Sequence, residues 1–396
     1  MTDHFLRSTQ HLADMIEATR LTGAGRLQEA TALLQRSFQE RPAEDAAAQP
    51  NPPKAEPVAE RLRETLDGVV GEWVRGVVPA SRGLNGGAEP EHPKTEHQET
   101  EQPDAEPGEG AFVALSFSNA EGARDYKLYI PSRPAAAATL VVMLHGCSQS
   151  PDDFAAGTGM NRLAEAEGFF VAYPAQSGRA NGQKCWNWFE PRDQGRESGE
   201  AAIVAGITRA VMEAHRIDPA RVYIAGFSAG AAAAANIARA YPDLYAAVGV
   251  HSGLAAGCAR DLSSAMMAMQ MGAPGLTEPN GFGAPVEDLR IPTIVFHGDG
   301  DGTVSPRNGD QVLAQAGIAA LRASEETGAE NGHPYTRTRY ADAEDRVLVE
   351  SWLVRGSGHA WSGGDPAGSY TDPRGPDASR AMLAFFAGHP LAAGRS

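Results

Sequence analysis

A serine hydroxyl becomes a useful nucleophile only where the fold lifts it clear of its surroundings and sets it beside a base. The pentapeptide Gly226-Phe227-Ser228-Ala229-Gly230 follows the apolar run Val222-Tyr223-Ile224-Ala225 and leads into the Ala-rich stretch Ala229 to Ala240. That is the strand–turn–helix context in which a G-x-S-x-G turn puts serine on a strained corner. The glycines two residues to either side leave room for close backbone approach. A bare G-x-S-x-G also arises by chance in a chain rich in Gly and Ala, so its partners decide whether it is chemical.

The next strand-like run, Pro292-Thr293-Ile294-Val295-Phe296, empties into His297-Gly298-Asp299-Gly300-Asp301-Gly302-Thr303-Val304. An Asp on such a loop can accept a hydrogen bond from an imidazole and fix its tautomer. Asp301 is preferred, because Asp299 is still tight against the strand end; the alternative is that both only form turns. For the base, His251 and His297 come too early if the order is nucleophile, acid, base. His389 lies past the last helical pattern, and His333 sits in a polar loop with no strand before it. His359 follows the strand Val347 to Val354 within Gly356-Ser357-Gly358-His359-Ala360-Trp361. The reading is Ser228, Asp301 and His359, in the chain order of an α/β-hydrolase.

Attack on an ester carbonyl also needs preorganised N–H donors for the oxygen that becomes charged. The buried run Leu140 to Leu144 ends in His145-Gly146-Cys147-Ser148-Gln149. The backbone N–H groups of Cys147 and Ala229 are the expected donors, with His145 orienting the loop through its ring. Trp186 and Trp188 alternate around Asn187, and Trp361 lies two residues from the base. Trp186 and Trp361 are read as apolar walls for a short acyl chain; Trp188 fits that role and core filling equally. Residues 254–290 carry Met266, Met267, Met269 and Met271. They could line an adaptable acyl pocket, but a helix plugging the core or capping the sheet is the favoured reading.

The stretch Leu140 to Gly364 resembles the polyhydroxybutyrate depolymerase-type esterases, and through them the feruloyl and acetylxylan esterases. The matching pieces are Leu144-His145-Gly146-Cys147-Ser148-Gln149, Tyr173-Pro174, Cys185-Trp186-Asn187-Trp188-Phe189 and Asp218-Pro219-Ala220-Arg221-Val222-Tyr223. The Gly226 to Gly230 elbow, the Asp301 loop and Gly358-His359-Ala360-Trp361-Ser362-Gly363-Gly364 complete the set. The resemblance implies a serine esterase acting on a polyester or short-chain ester; the triad chemistry needs no metal or organic cofactor, and no Cys and His spacing suggests a metal site. Feruloyl or acetylxylan esters are the runner-up substrates. A serine peptidase of the same fold is a weaker rival, because residues 1–110 are too few and too polar for the propeller-type domain such enzymes add.

From Ala111 to about residue 390 strands and helices alternate, which predicts an α/β-hydrolase fold: a mostly parallel eight-stranded sheet with helices on both faces. Strands are expected near 112–117, 126–130, 139–145, 169–173, 221–226, 246–251, 292–297 and 346–354. Helices are expected near 154–167, 199–215, 229–240, 307–320 and 377–387. Ahead of this domain, residues 1–41 read as a helical segment and 42–110 as a disordered Pro- and Glu-rich linker. Inside the linker, residues 58–78 keep an apolar stripe suited to docking, on a storage-granule surface if the substrate is a stored polyester.

The formal charge of −16 over 396 residues argues against nucleic acid as a partner, since phosphates would be repelled. No apolar run is long enough for a transmembrane segment. The first residues lack a basic region and an apolar core, so no secretory leader is expected and a cytoplasmic, granule-associated setting is preferred. With that setting, Cys147 and Cys185 are expected as reduced thiols and Cys258 as a small buried hydrophobe.

Overall fold

The computed structural model describes residues 110–273 and 291–392. The expected helical pair at 1–41, nearly all of the linker at 42–110 and its segment 58–78 lie outside the described residues, as do positions 274–290 of the Met-rich stretch. The described chain runs β1 (Ala111–Asn119), β2 (Gly122–Ile130), β3 (Leu140–Leu144), α1 (Pro151–Thr158), α2 (Met160–Glu167), β4 (Phe170–Pro174), α3 (Pro191–Gln194) and α4 (Gly199–His215). It continues with β5 (Val222–Phe227), α5 (Ala229–Ala240), β6 (Ala247–His251), α6 (Leu262–Met271), β7 (Thr293–Gly298) and α7 (Arg307–Gln315). The last elements are β8 (Arg322–Glu330), β9 (His333–Ala341), β10 (Val347–Val354), β11 (Trp361–Ser362), β12 (Thr371–Asp372) and α8 (Ala378–Ala387).

One ten-stranded sheet takes the order β1-β2-β4-β3-β5-β6-β7-β10-β9-β8. Its centre, β4-β3-β5-β6-β7-β10, is parallel throughout. Antiparallel pairs finish both edges. Every residue of β3, β4, β5, β6 and β7 is buried, as a parallel sheet covered on both faces requires. Alternate side chains feed two cores. Leu140, Val142, Ile224 and Val248 pack with α4, α5, α6 and α7; Val141, Met143, Tyr223 and Phe296 pack with α1, α2 and α8. Among the described residues, no helix is long and apolar enough to cross a membrane.

The α/β-hydrolase architecture is as expected, but the strand count is not: the sheet has ten strands rather than eight. The hairpin β8–β9 is the addition. β8 reads RASEETGAE and is almost wholly exposed, so it lacks the apolar alternation that announces a strand. It exists because β9 pairs with β10 and β8 then pairs with β9. This also corrects the placement of His333, which has a strand before it and opens β9. The helix expected over 154–167 is two helices, because Gly159 turns left-handed at φ 61° between α1 and α2.

Candidate active site

The chemistry-bearing residues all stand where parallel strands end at their carboxyl edge, the usual site of ligands in such sheets. Ser228 follows β5 directly, at φ 55° and ψ −121°, and opens α5. Its N–H donates to the His251 carbonyl at 3.0 Å, and the residue is 7% exposed. Positive φ on a non-glycine residue is strained, and the flanking glycines make it possible. A Cβ at Gly226 would lie 2.4 Å from the Gly230 carbonyl carbon and oxygen. A Cβ at Gly230 would lie 2.1 Å from the Leu144 carbonyl oxygen. The first turn of α5 is thereby pressed against the end of β3, which carries the loop expected to complete the site.

Asp301 and His359 meet across the ends of β7 and β10. His359 Nδ1–H donates to Asp301 Oδ2 at 2.7 Å. Asp301 Oδ1 accepts the N–H groups of Thr303 at 2.9 Å and Val304 at 2.8 Å. Burial of this carboxyl favours protonation. Hydrogen bonds from His297 and His359, with the nearby imidazole charge and the Val304 N–H, outweigh it and hold Asp301 far below the usual carboxylate range. Asp299 does something else: it accepts the Gly356 N–H at 2.6 Å and faces Arg355. It ties the two loops together instead of touching the imidazole. The His359 ring lies 4.8 Å, centroid to centroid, from Phe227, the residue before Ser228. With Nδ1 committed to Asp301, Nε2 is the nitrogen left to handle a proton.

His297 comes too early in the chain to be the base, and its place in the fold gives it another role. It is 3% exposed, and its Nε2–H donates to the Val304 carbonyl at 2.9 Å while lying 3.4 Å from Asp301 Oδ2. It is thus a second imidazole beside the Asp301 oxygen that His359 contacts. Its spacing of four residues from Asp301 was the available signal.

The loop after β3 is held from beneath. His145 Nδ1–H donates to the Gly146 carbonyl at 2.7 Å, and Gln176 N–H donates to His145 Nε2 at 3.0 Å. Burial pushes His145 down to about 4, with the Gly146 carbonyl pulling the other way, so the ring is neutral. Glu200, buried on α4, accepts from Asn187 N–H at 2.8 Å, from Arg124 at 3.0 Å and from Gln176. No motif pointed to it; only the packing of α4 beneath residues 185–189 shows its place. Among the described residues the Cys147 N–H has no hydrogen-bond partner. The Ala229 N–H is the first of α5, where helical donors have no intrahelical acceptor. Both are available to an oxyanion.

Cys147 and Cys185 are bonded to each other, with Cα atoms 4.1 Å apart. This corrects the expectation of reduced thiols. The fold brings the two segments side by side, with Ser148 N–H donating to the Gln183 carbonyl at 2.7 Å. The reduced-thiol expectation followed from the preferred cytoplasmic setting, where disulfides are rare.

The pocket-wall reading of Trp186 and Trp361 is also corrected, and of its two readings Trp188 takes core filling. Trp186, Trp188 and Trp361 are 0%, 4% and 2% exposed, so none presents an open wall to a substrate. Trp186 Nε1–H donates to the His145 carbonyl at 3.1 Å, underpinning the loop. Trp361 stacks on His251 at 4.8 Å and donates to Ser379. Trp188 packs edge-on against Phe189. Their indoles satisfy the core, and the polar handle of each tethered ring is used internally. The Met-rich α6 caps the core and does not plug it: Ala265 and Ala268 are buried in the cluster and Met269 packs against it, while Met266 and Met271 are 39% and 55% exposed. Cys258 is a free, largely enclosed thiol, which burial pushes up to about 12.

Comparison with known proteins agrees with this geometry. Residues 124–332 match the family model described as Esterase PHB depolymerase. Poly(3-hydroxyalkanoate) depolymerase C of Paucimonas lemoignei is 33% identical over 247 residues, which are 58% of this chain and 57% of that protein. The chain thus spans little more than half the length of that relative. Feruloyl esterase B of Thermothelomyces thermophilus is 27% identical over 59% of this chain and 82% of its own. Among solved structures, an acetyl xylan esterase from Aspergillus awamori superposes with a TM-score of 0.51 at 17% identity, covering 70% of this chain and all of that one; it bears on the fold alone. With a family model matching more than half of its residues, the chain belongs to the Esterase PHB depolymerase family.

Proposed function

We propose that this protein is a serine esterase that hydrolyses ester bonds of polyhydroxyalkanoate polymer or its oligomers. The observation that carries the proposal is the 2.7 Å contact of His359 Nδ1 with Asp301, at the strand ends beside a serine strained to φ 55°. His359 Nε2 takes the Ser228 proton as Oγ bonds to the ester carbonyl carbon. The Cys147 and Ala229 N–H groups hold the resulting oxyanion, and its collapse expels the alcohol, which takes the proton from His359. Water repeats the cycle on the acyl-enzyme, releasing the acid and restoring Ser228. Asp301 stays ionised throughout and fixes the imidazole tautomer.

The depolymerase relative supports a hydroxyalkanoate substrate, and the greater share of the feruloyl esterase's length that is matched supports a plant cell-wall ester as second reading. Turnover of 3-hydroxybutyrate oligomers, methyl ferulate and acetylated xylan by the wild type and Ser228→Ala separates them. Activity that survives Ser228→Ala removes the mechanism, and a wide preference for ferulate or xylan moves the substrate. The docking role of residues 1–110 on a polyester granule belongs to the same proposal. A chain beginning near residue 108 is expected to keep soluble-ester turnover and lose granule binding; equal granule activity in both chains removes the tether.

A further inference from the structure

Tyr370 combines three features that stability does not explain. Its backbone is left-handed at φ 54°, a conformation that is an outlier for a bulky residue. Its side chain gains little from burial, since the residue is 49% exposed, one of four large hydrophobic residues in the described chain that are. And it is not there by slackness. On one side Ser369 is clamped: its N–H donates to Asp153 at 2.8 Å and its carbonyl accepts from Gln149 at 3.1 Å. On the other, Thr371 and Asp372 pair in parallel with Trp361 and Ser362, and Asp372 is gripped by His333 at 2.9 Å and by Arg374. The two anchors force the intervening residue outward, so the ring's position is fixed.

That position is the rim of the candidate active site. The Tyr370 hydroxyl lies 3.3 Å from Ser148 Oγ, and Ser148, itself at φ 63°, follows the oxyanion donor Cys147. The Tyr370 ring lies 6.3 Å from the Phe227 ring, which lies 4.8 Å from His359. The Tyr370 carbonyl accepts the Trp361 N–H at 2.7 Å, so platform and base loop move as one. Strain that burial does not offset, held rigidly beside a nucleophile, points toward function.

We infer that Tyr370 is a specificity-determining residue whose exposed ring carries the substrate unit joined directly to the scissile ester. This rests on the esterase reading and deepens it. The ring's one polar atom is engaged with Ser148, so what it offers is an apolar face and no hydrogen-bond code. The matching ligand is an aliphatic oligoester, whose methyl and methylene groups can lie on the ring beyond the acyl group under attack. A lone acetyl group is too short to use it.

The test compares kcat/KM on p-nitrophenyl acetate and on a 3-hydroxybutyrate trimer methyl ester for the wild type, Tyr370→Ala, Tyr370→Phe, Tyr370→Asn and Ser228→Ala. Tyr370→Ala should lose about tenfold or more on the trimer, mainly through KM, and about threefold or less on the acetate. Tyr370→Phe should stay within about threefold on both, because the face is retained. Tyr370→Asn should lose the trimer preference while its thermal midpoint holds or rises, since Asn tolerates the left-handed backbone. Equal losses on both esters, no loss on the trimer, a Phe variant as impaired as Ala, or a marked fall in the Asn midpoint each overturns the platform. Trimer hydrolysis that does not depend on Ser228 removes the esterase reading itself.

Discussion

Replacing Asp301 by Asn tests the reading of this site most severely, because it changes one atom pair within a fixed environment. The Asp301 carboxylate accepts from His359 Nδ1 at 2.7 Å, from Thr303 and Val304 N–H at 2.9 and 2.8 Å, and has His297 Nε2 at 3.4 Å. In the variant the amide oxygen can keep the two backbone donors, which orients the NH2 toward His359. Two donors then face each other, and the imidazole relieves the clash by moving its proton to Nε2. An Nε2–H cannot accept the Ser228 proton, and the negative charge that stabilised the imidazolium is gone. Triads that lose their acid this way fall by roughly 10³–10⁴ in kcat, about 4–5.5 kcal/mol of barrier. The assay is kcat/KM for a p-nitrophenyl short-chain ester, with a thermal midpoint for each variant to exclude unfolding. Asp299→Asn is the control: Asp299 touches Gly356 and Arg355, not the imidazole, so a loss of under about tenfold is expected. If Asp301→Asn keeps more than a tenth of wild-type activity in a folded protein, or if Asp299→Asn is the more damaging, the assignment of the acid is wrong.

Three further outcomes follow from packing and charge. Gly230→Ala would bring a Cβ within 2.1 Å of the Leu144 carbonyl oxygen; we expect a loss of roughly 3 kcal/mol in urea unfolding and of most activity, and a near-wild-type midpoint would contradict the close approach. Burial drives His145 down to about 4, whereas an unfolded imidazole titrates near 6.5. The neutral ring's contribution is thus intact above pH 6.5 and is lost as pH falls toward 4, roughly 3 kcal/mol in all. Urea midpoints at pH 7 and 4.5 should diverge in the wild type and less so in His145→Gln; His251, also buried and shifted down by that burial, adds to the wild-type slope. Alkylation of the denatured, unreduced protein should label Cys258 alone. Reducing the Cys147–Cys185 bond, which spans 38 positions, should cost about 4 kcal/mol of stability in a chain-entropy account; three labelled thiols without reductant would show that the bond is absent.

The candidate catalytic residues of this protein were legible in one dimension because each part announces itself locally. A strand-like run followed by a small-residue turn marks Ser228, Asp301 and His359, since a parallel strand must be buried and must end where the chain can turn. The same locality made the five wholly buried parallel strands, β3 to β7, readable as apolar runs. It failed where an element depends on a partner. β8 has no apolar face of its own and becomes a strand only against β9.

Side-chain roles divided along the same line. Which Asp faces the imidazole was an argument about loop position in the sequence, and a distance in the structure. Tryptophans near motif residues looked like pocket walls, yet whether a ring faces a cavity or the core depends on what packs behind it, and Trp186 and Trp361 are fully enclosed. Cys147 and Cys185 are 38 positions apart, and only the folded chain brings their Cα atoms together. His297, Glu200 and Tyr370 carry no motif that names their task. Their neighbours come from other strands and loops, and a residue's electrostatic and steric environment is set by whatever the fold places beside it. The amino-acid order determined the candidate strand-end chemistry and the fold that carries it; tertiary packing decided which side chains surround that chemistry, which are covalently tied, and that the Tyr370 ring is left facing out.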